Sequence, residues 1–130
     1  MLKSEQNFDI HKNIMYNCLM YSKELLKGTL QTIILQLLKE HGMMYGYDIT
    51  QKVRLLSDDN LILTEGALYP TLHKLKDQGL LAVTEESVNN RKRKYYTLSR
   101  KGIKVTEQKV NEFSNFMNMV SKILSTKSKA

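Results

Sequence analysis

The 130-residue sequence has no tryptophan, one proline and one cysteine. A lone thiol, Cys18, cannot close an internal disulfide, so the fold stands without covalent staples and a reducing, cytoplasmic setting is expected. No apolar run approaches the length of a membrane span, and no membrane partner is expected. The N-terminus, with Glu5 and Asp9, lacks the charged-then-apolar order of a secretion signal. Common enzyme constellations are missing too. His11, His41 and His73 lie far apart without metal-ligand spacing, Cys18 has no evident partner, and no glycine-rich phosphate loop occurs. Neither catalysis, a metal nor a cofactor is expected.

What is present is regular patterning. An apolar content of 42% argues against disorder, and the length suits one domain with an added helix or two. The net charge is +7, and it is unevenly spread. Residues 1–60 are balanced, whereas Arg91, Lys92, Arg93, Lys94, Arg100, Lys101 and Lys104 follow one another without an acid between them. A field this local attracts a polyanion, nucleic acid above all. The plainer alternative is a solvated basic face.

In chain order, Phe8, Ile10, Ile14, Met15, Cys18 and Leu19 give residues 1–21 a helical apolar face, an N-terminal extension. The segment 22–41 carries Leu26, Leu30, Ile33, Ile34, Leu37 and Leu38 on a wide stripe ending at Gly42, with Gly28 moving the effective start towards Thr29. Leu35 lies off that stripe, which predicts contacts on two sides. Residues 43–47 read as a break. Ile49, Val53 and Leu56 then mark a second helix, Ser57–Asn60 a polar turn, and Leu61–Leu63 a short strand.

From Thr64 to Gln78, Leu68, Leu72 and Leu75 share one helical face. Thr64 is expected to cap the helix through its side chain, with Glu65 in the first turn and Gly79 as the stop. Opposite the leucines lie Gly66, Ala67, Pro70, His73 and Lys74: small residues first, a cation later. Pro70 would fall inside this helix, where it lacks a donor and crowds the Gly66 carbonyl. The residues alone equally permit a helix beginning at Pro70.

A hairpin follows, with strands over residues 80–86 and 92–98 around Asn89–Asn90, which tolerate positive φ. Leu81 and Val83 face inward with Tyr96 and Leu98, and Arg93 and Tyr95 face outward. Ser99 starts a last helix. There Ile103, Val110, Phe113, Met117, Val120 and Leu124 fit a heptad seam that Thr106 alone breaks, and Phe116 and Ile123 widen it. Packing along a second copy is expected, with packing on its own domain as the alternative. Residues 126–130 should fray.

The fold class is therefore mainly α with a small β-hairpin wing. It is a winged helix-turn-helix over residues 22–98, with an N-terminal helix and a long C-terminal dimerisation helix over 99–125. The order of the motifs LLKGT (Leu25–Thr29), YGYDI (Tyr45–Ile49), GALYPTLHKL (Gly66–Leu75), GLL (Gly79–Leu81), RKYY (Arg93–Tyr96) and LSRKG (Leu98–Gly102) resembles the PadR family of bacterial transcriptional regulators, across about residues 25–125. The resemblance implies a homodimer held by the C-terminal helix, the smaller subgroup of the family, with one helix per subunit in a major groove of double-stranded DNA. A tyrosine–proline pair inside the recognition helix is usual there, which favours the start at Thr64. Two departures stand out: the wing tip reads Asn89–Asn90–Arg91–Lys92–Arg93 without the family's glycine and proline, and residues 1–21 lie outside the common pattern.

On this reading Thr64, Tyr69 and Lys74, with Tyr47 beside them, position the helix on phosphates, and Gly66, Ala67 and Pro70 permit close approach. His73 reaches a base edge or phosphate, or is simply an exposed histidine. Asn90, Arg91, Lys92, Arg93 and Lys94 serve the backbone or a narrow minor groove. The expected function is a homodimeric repressor on a pseudo-palindromic operator. Such families also use a small-molecule effector; Phe113, Phe116 and Met117 would line its pocket, although such residues more often form plain core. The main rival is a winged-helix protein-interaction module that does not bind DNA.

Overall fold

A computed structural model describes residues 21–125. Its elements are α1 (Lys23–Leu26), α2 (Thr29–His41), β1 (Met44–Tyr45), α3 (Gly46–Leu56), α4 (Glu65–Asp77), β2 (Leu81–Val88), β3 (Arg91–Leu98) and α5 (Arg100–Leu124). The strands form one antiparallel sheet in the order β1-β3-β2. This is the expected mainly α fold with a hairpin wing. The helix expected over residues 1–21 lies, Tyr21 apart, outside the described residues, as does the tail 126–130. No helix among the described residues is long and apolar enough to cross a membrane.

Local chemistry sets the helix ends. The Ser22 hydroxyl accepts from the Leu25 N–H at 3.1 Å, capping α1. Gly28, at φ +82°, then breaks the chain so that α2 starts at Thr29. α2 is the central helix: Leu30, Ile34, Leu35, Leu37 and Leu38 are all buried, and it packs against α4, β3 and α5. Leu35 is fully buried for that reason, as its off-stripe position suggested.

Three readings change. The break expected at 43–47 contains β1, whose Met44 and Tyr45 pair with Tyr96 and Tyr95. Two residues are too few to show an alternating pattern, and this strand exists only because β3 offers an edge. Leu61–Leu63, expected as a strand, is irregular although Leu61 and Leu63 are buried. Both edges of β3 are taken by β1 and β2, and Leu61–Leu63 pairs with no strand of this sheet. Leu56, expected on the inner face of α3, is the last residue of that helix and is 64% exposed. It edges a shallow groove with Ile33, Val110 and Phe113.

The hairpin is longer and tighter than its composition suggested. β2 and β3 pair from Leu81↔Leu98 to Val88↔Arg91, leaving only Asn89 and Asn90 in the turn. Both have positive φ, 51° and 65°, the conformation whose twist matches a two-residue hairpin. Leu81 and Val83 do pair inward with Leu98 and Tyr96.

α5 is fastened at its first turn. The Ser99 hydroxyl accepts from the Gly102 N–H at 3.0 Å and donates to the Gly79 carbonyl at 2.7 Å. A Cβ at Gly102 would collide with the Leu80 carbonyl oxygen. Thr106 is a correction. It does not interrupt the inward face but is fully buried, its hydroxyl satisfied by the Gly102 carbonyl at 2.7 Å. Beyond Phe113 the helix changes character. From Ser114 to Ser125 every residue except Val120 is exposed, including Phe116, Met117, Met119 and Leu124.

Gly102→Ala should lower stability by about 1–3 kcal/mol, because backbone rather than a flexible side chain meets the new methyl. Urea unfolding reads this out, and an unchanged midpoint would show that α5 does not approach Leu80 so closely.

Candidate nucleic-acid interface

α4 is fixed from behind. Leu68, Leu72 and Leu75 are fully buried, and each such leucine contributes about 1.5–3 kcal/mol relative to exposure. Its C-terminus closes on Gly79 at φ +77°, with the Leu80 N–H bonded to the Leu75 carbonyl and the Gly79 N–H to the Lys76 carbonyl. The helix runs through Pro70, so the start at Thr64 holds and the alternative start at Pro70 does not.

Thr64 occupies the N-cap, but its side chain makes no capping hydrogen bond. Its carbonyl instead accepts from the N–H groups of Ala67 and Leu68. An extended backbone at Thr64 suffices to turn the chain into the helix, and the hydroxyl is left uncommitted. Around it Glu65, Gly66, Pro70, His73 and Lys74 are exposed, while Ala67 is half-buried against the core. The bare face expected opposite the leucines is therefore present, with Ala67 at its margin. Tyr69 is 41% exposed, and its ring lies so close to Gly46 that any side chain there would strike the phenol. Gly46 thereby lets α4 settle against the start of α3. Burial, and then the neighbouring Tyr69, push the Tyr96 hydroxyl above its ordinary pKa, so this sheet tyrosine stays neutral at physiological pH.

Two clefts border the bare face. One, of about 470 Å³, joins Tyr47 of α3 to Thr64, Glu65 and Gly66. Tyr47 is 61% exposed, which places an aromatic hydroxyl beside the N-terminus of α4. The other, of about 660 Å³, sets Lys23, Lys27 and Gln31 across from Gly66, Pro70 and Lys74. Sequence reasoning missed Lys23 and Lys27. They sit in the charge-balanced part of the chain, and only the packing of α1 beside α4 gives them meaning.

The wing carries the densest charge. Asn90, Arg91, Lys92 and Lys94 are exposed. Arg93 and Tyr95, expected to face solvent, are half-buried because the Tyr45 ring of the neighbouring strand β1 packs against both. The Arg93 guanidinium sits 4.6 Å from the centre of the Tyr45 ring, and Tyr45 packs on Tyr95 at 5.5 Å. Glu85 and Glu86 stand opposite Lys94 and Arg93 in the register, yet among the described residues no wing cation is ion-paired.

The six seam positions of α5, and Phe116 beside them, divide. Val110, Phe113 and Val120 are half-buried on their own chain, and Ile103, Phe116, Met117 and Leu124 are exposed. A groove of about 910 Å³ runs between α1 and this helix, lined by Tyr21, Leu25, Phe113, Phe116, Met117 and Val120 among others.

A buried helix pair, a third helix presenting a bare face and a charged hairpin beside it define a winged helix-turn-helix. Residues 34–108 match the transcriptional regulator PadR-like family, and the chain belongs to that family. Solved structures agree. A transcriptional regulator from Clostridium thermocellum is 30% identical, with a TM-score of 0.71 over 77% of this chain and 97% of that one. A PadR family regulator from Eggerthella lenta is 27% identical, with a TM-score of 0.68 over 94% of this chain and 98% of the other. A PadR-like transcription factor from Bacteroides fragilis is 35% identical, with a TM-score of 0.63 over 77% and 94% of the two chains. The protein is thus a PadR-like transcriptional regulator.

Since Pro70 removes a helical hydrogen bond and crowds the Gly66 carbonyl, Pro70→Ala should raise stability by about 1–3 kcal/mol. Denaturant midpoints test this; a loss of stability would mean that the helix does not tolerate its proline at a cost.

Proposed function

We propose that the protein is a homodimeric repressor that binds a pseudo-palindromic operator in double-stranded DNA, each subunit setting α4 in a major groove. The observation that carries this reading is the bare, uncapped start of α4, held by buried leucines between the lysine-bordered cleft and the arginine-rich wing. Small residues at Gly66, Ala67 and Pro70 allow the helix to approach base edges, and His73 stands one turn along. Thr64, Glu65, Tyr47, Tyr69 and Lys74 surround that approach and set its register on phosphates and neighbouring groups. Asn90, Arg91, Lys92, Arg93 and Lys94 lie where the flanking backbone would pass. The field is strongest at the wing, so binding should be steeply salt-dependent.

Dimerisation is supported by the far half of α5. Its exposed Phe116, Met117, Met119 and Leu124 form an apolar surface that a monomer leaves in water. A two-fold pair would place two recognition helices on one side of a duplex, with half-sites about 34–36 Å apart. Occupied promoters are then closed to transcription. The groove beside Phe113, Phe116 and Met117 is the place for a small apolar effector, since a ligand there would bear on the helix that sets the subunit spacing. The rival use, protein contact by the same fold, is less favoured because among the described residues the basic hairpin makes no ion pair and its charge stays available to a polyanion.

Binding-site selection with purified protein at fixed salt should recover a pseudo-palindrome; no enriched sequence and no duplex binding would favour the protein-contact reading. Arg91→Ala combined with Arg93→Ala should reduce the slope of log affinity against log salt by about two, and an unchanged slope would remove the wing from the interface. Phe116→Asp with Met117→Asp should convert the dimer to a folded monomer in sedimentation, with loss of operator binding. A dimer that survives both substitutions would place the subunit contact elsewhere.

A further inference from the structure

Arg93 differs from the other wing cations in its surroundings. It shares one face of β3 with Tyr95, which stands opposite Tyr45 of β1. Its guanidinium carbon therefore lies 4.6 Å from the Tyr45 ring centroid. Tyr45 in turn packs on Tyr95 at 5.5 Å and stacks with Tyr47 at 6.2 Å and 25°. Glu86 is directly across from Arg93 on β2, yet among the described residues no ion pair joins them. The guanidinium thus sits over an aromatic ring and, among the described residues, makes no ion pair, so its N–H donors are available to an anion. Arg91, Lys92 and Lys94 are exposed and have no aromatic contact of this kind among the described residues.

We propose that Tyr45 is a positioning residue for DNA binding: it fixes Arg93 so that the guanidinium edge meets a backbone phosphate in a preset orientation. The inference rests on the DNA-binding reading above. Planar, bidentate phosphate recognition needs a fork held in one geometry, and an unsupported arginine must give up its rotamer freedom when it binds. On Tyr45 much of that freedom is already gone. The same stack reaches Tyr47 at the start of α3, so the wing's arginine is oriented relative to the helix-turn-helix and not only to its own hairpin. The two residues then have separable signatures. A salt slope counts phosphate contacts, which Arg93 makes; it is insensitive to how firmly the cation is held, which Tyr45 decides.

The test is equilibrium binding of the full chain, over a salt series, to a duplex recovered by site selection and to a mixed-sequence duplex of equal length. Tyr45→Phe keeps the ring and should bind like the parent. Tyr45→Leu should lower affinity roughly three- to fivefold with the slope unchanged, in line with the strength of an exposed cation–π contact. Arg93→Lys, which keeps the charge without the planar face, should fall by a similar factor. In an Arg93→Ala background, Tyr45→Leu should do nothing more. An equal loss from Tyr45→Leu in both backgrounds would assign Tyr45 to the fold alone and overturn the proposal, whatever that variant does to stability. So would a Tyr45→Phe protein as weak as Tyr45→Leu. A parent protein that binds neither duplex at low salt would instead sink the DNA-binding reading itself, a result distinct from a parent that binds and a Tyr45→Leu variant that binds equally well.

Discussion

The burial of Leu68, Leu72 and Leu75 against the central helix α2 is the constraint on which the remaining arrangement depends. All three have no exposed surface, and together they hold a helix whose other side carries almost nothing that could hold it. Gly66 and Pro70 are poor helix formers, and a proline inside a helix costs about 3 kcal/mol. Three buried leucines, at about 1.5–3 kcal/mol each, outweigh that penalty. The division lets one face satisfy stability while the other is free to be small and close-fitting.

The sheet supplies the second element of the proposed interface and ties it to the first. β3 is its middle strand, with the wing partner β2 on one edge and the two-residue β1 on the other. Because β1 leads directly into α3, the wing is joined to the helix-turn-helix by backbone pairing as well as by the Tyr45 ring. Gly46 completes the junction by admitting the Tyr69 ring where no side chain would fit. The surface ion pair Lys39–Glu107, at 3.5 Å, adds little to this, since exposed pairs are worth about 0–1 kcal/mol.

α5 has two halves with different surroundings. Its first turns are bound to the domain through Ser99, Gly102 and the buried Thr106. Its last turns carry large apolar side chains into solvent. A 25-residue helix is about 37 Å long at 1.5 Å per residue, longer than the small body it leans on can cover. The exposed stretch is where the dimer reading and the effector reading meet, since Phe116 and Met117 of that stretch also line the groove beside α1.

Local patterns decided much of this by themselves. Helical spacing marked the buried face of α4 and the stripe of α2, paired asparagines marked the hairpin turn, and Ser99 marked the start of α5, because each depends on residues within a few positions of one another. The conspicuous run of charge at the wing was equally legible. Contacts across long stretches of chain were not. β1 exists only by pairing with a strand some fifty positions later, and the same pairing brings Arg93 onto Tyr45. Thr106 looked like a flaw in a seam until its hydroxyl found a carbonyl one turn back. Lys23 and Lys27 gain their place beside α4 only through the packing of α1. Spacing along the chain fixes which face of an element is apolar; which neighbour covers that face, and which cation comes to lie over which ring, is decided only when distant segments meet.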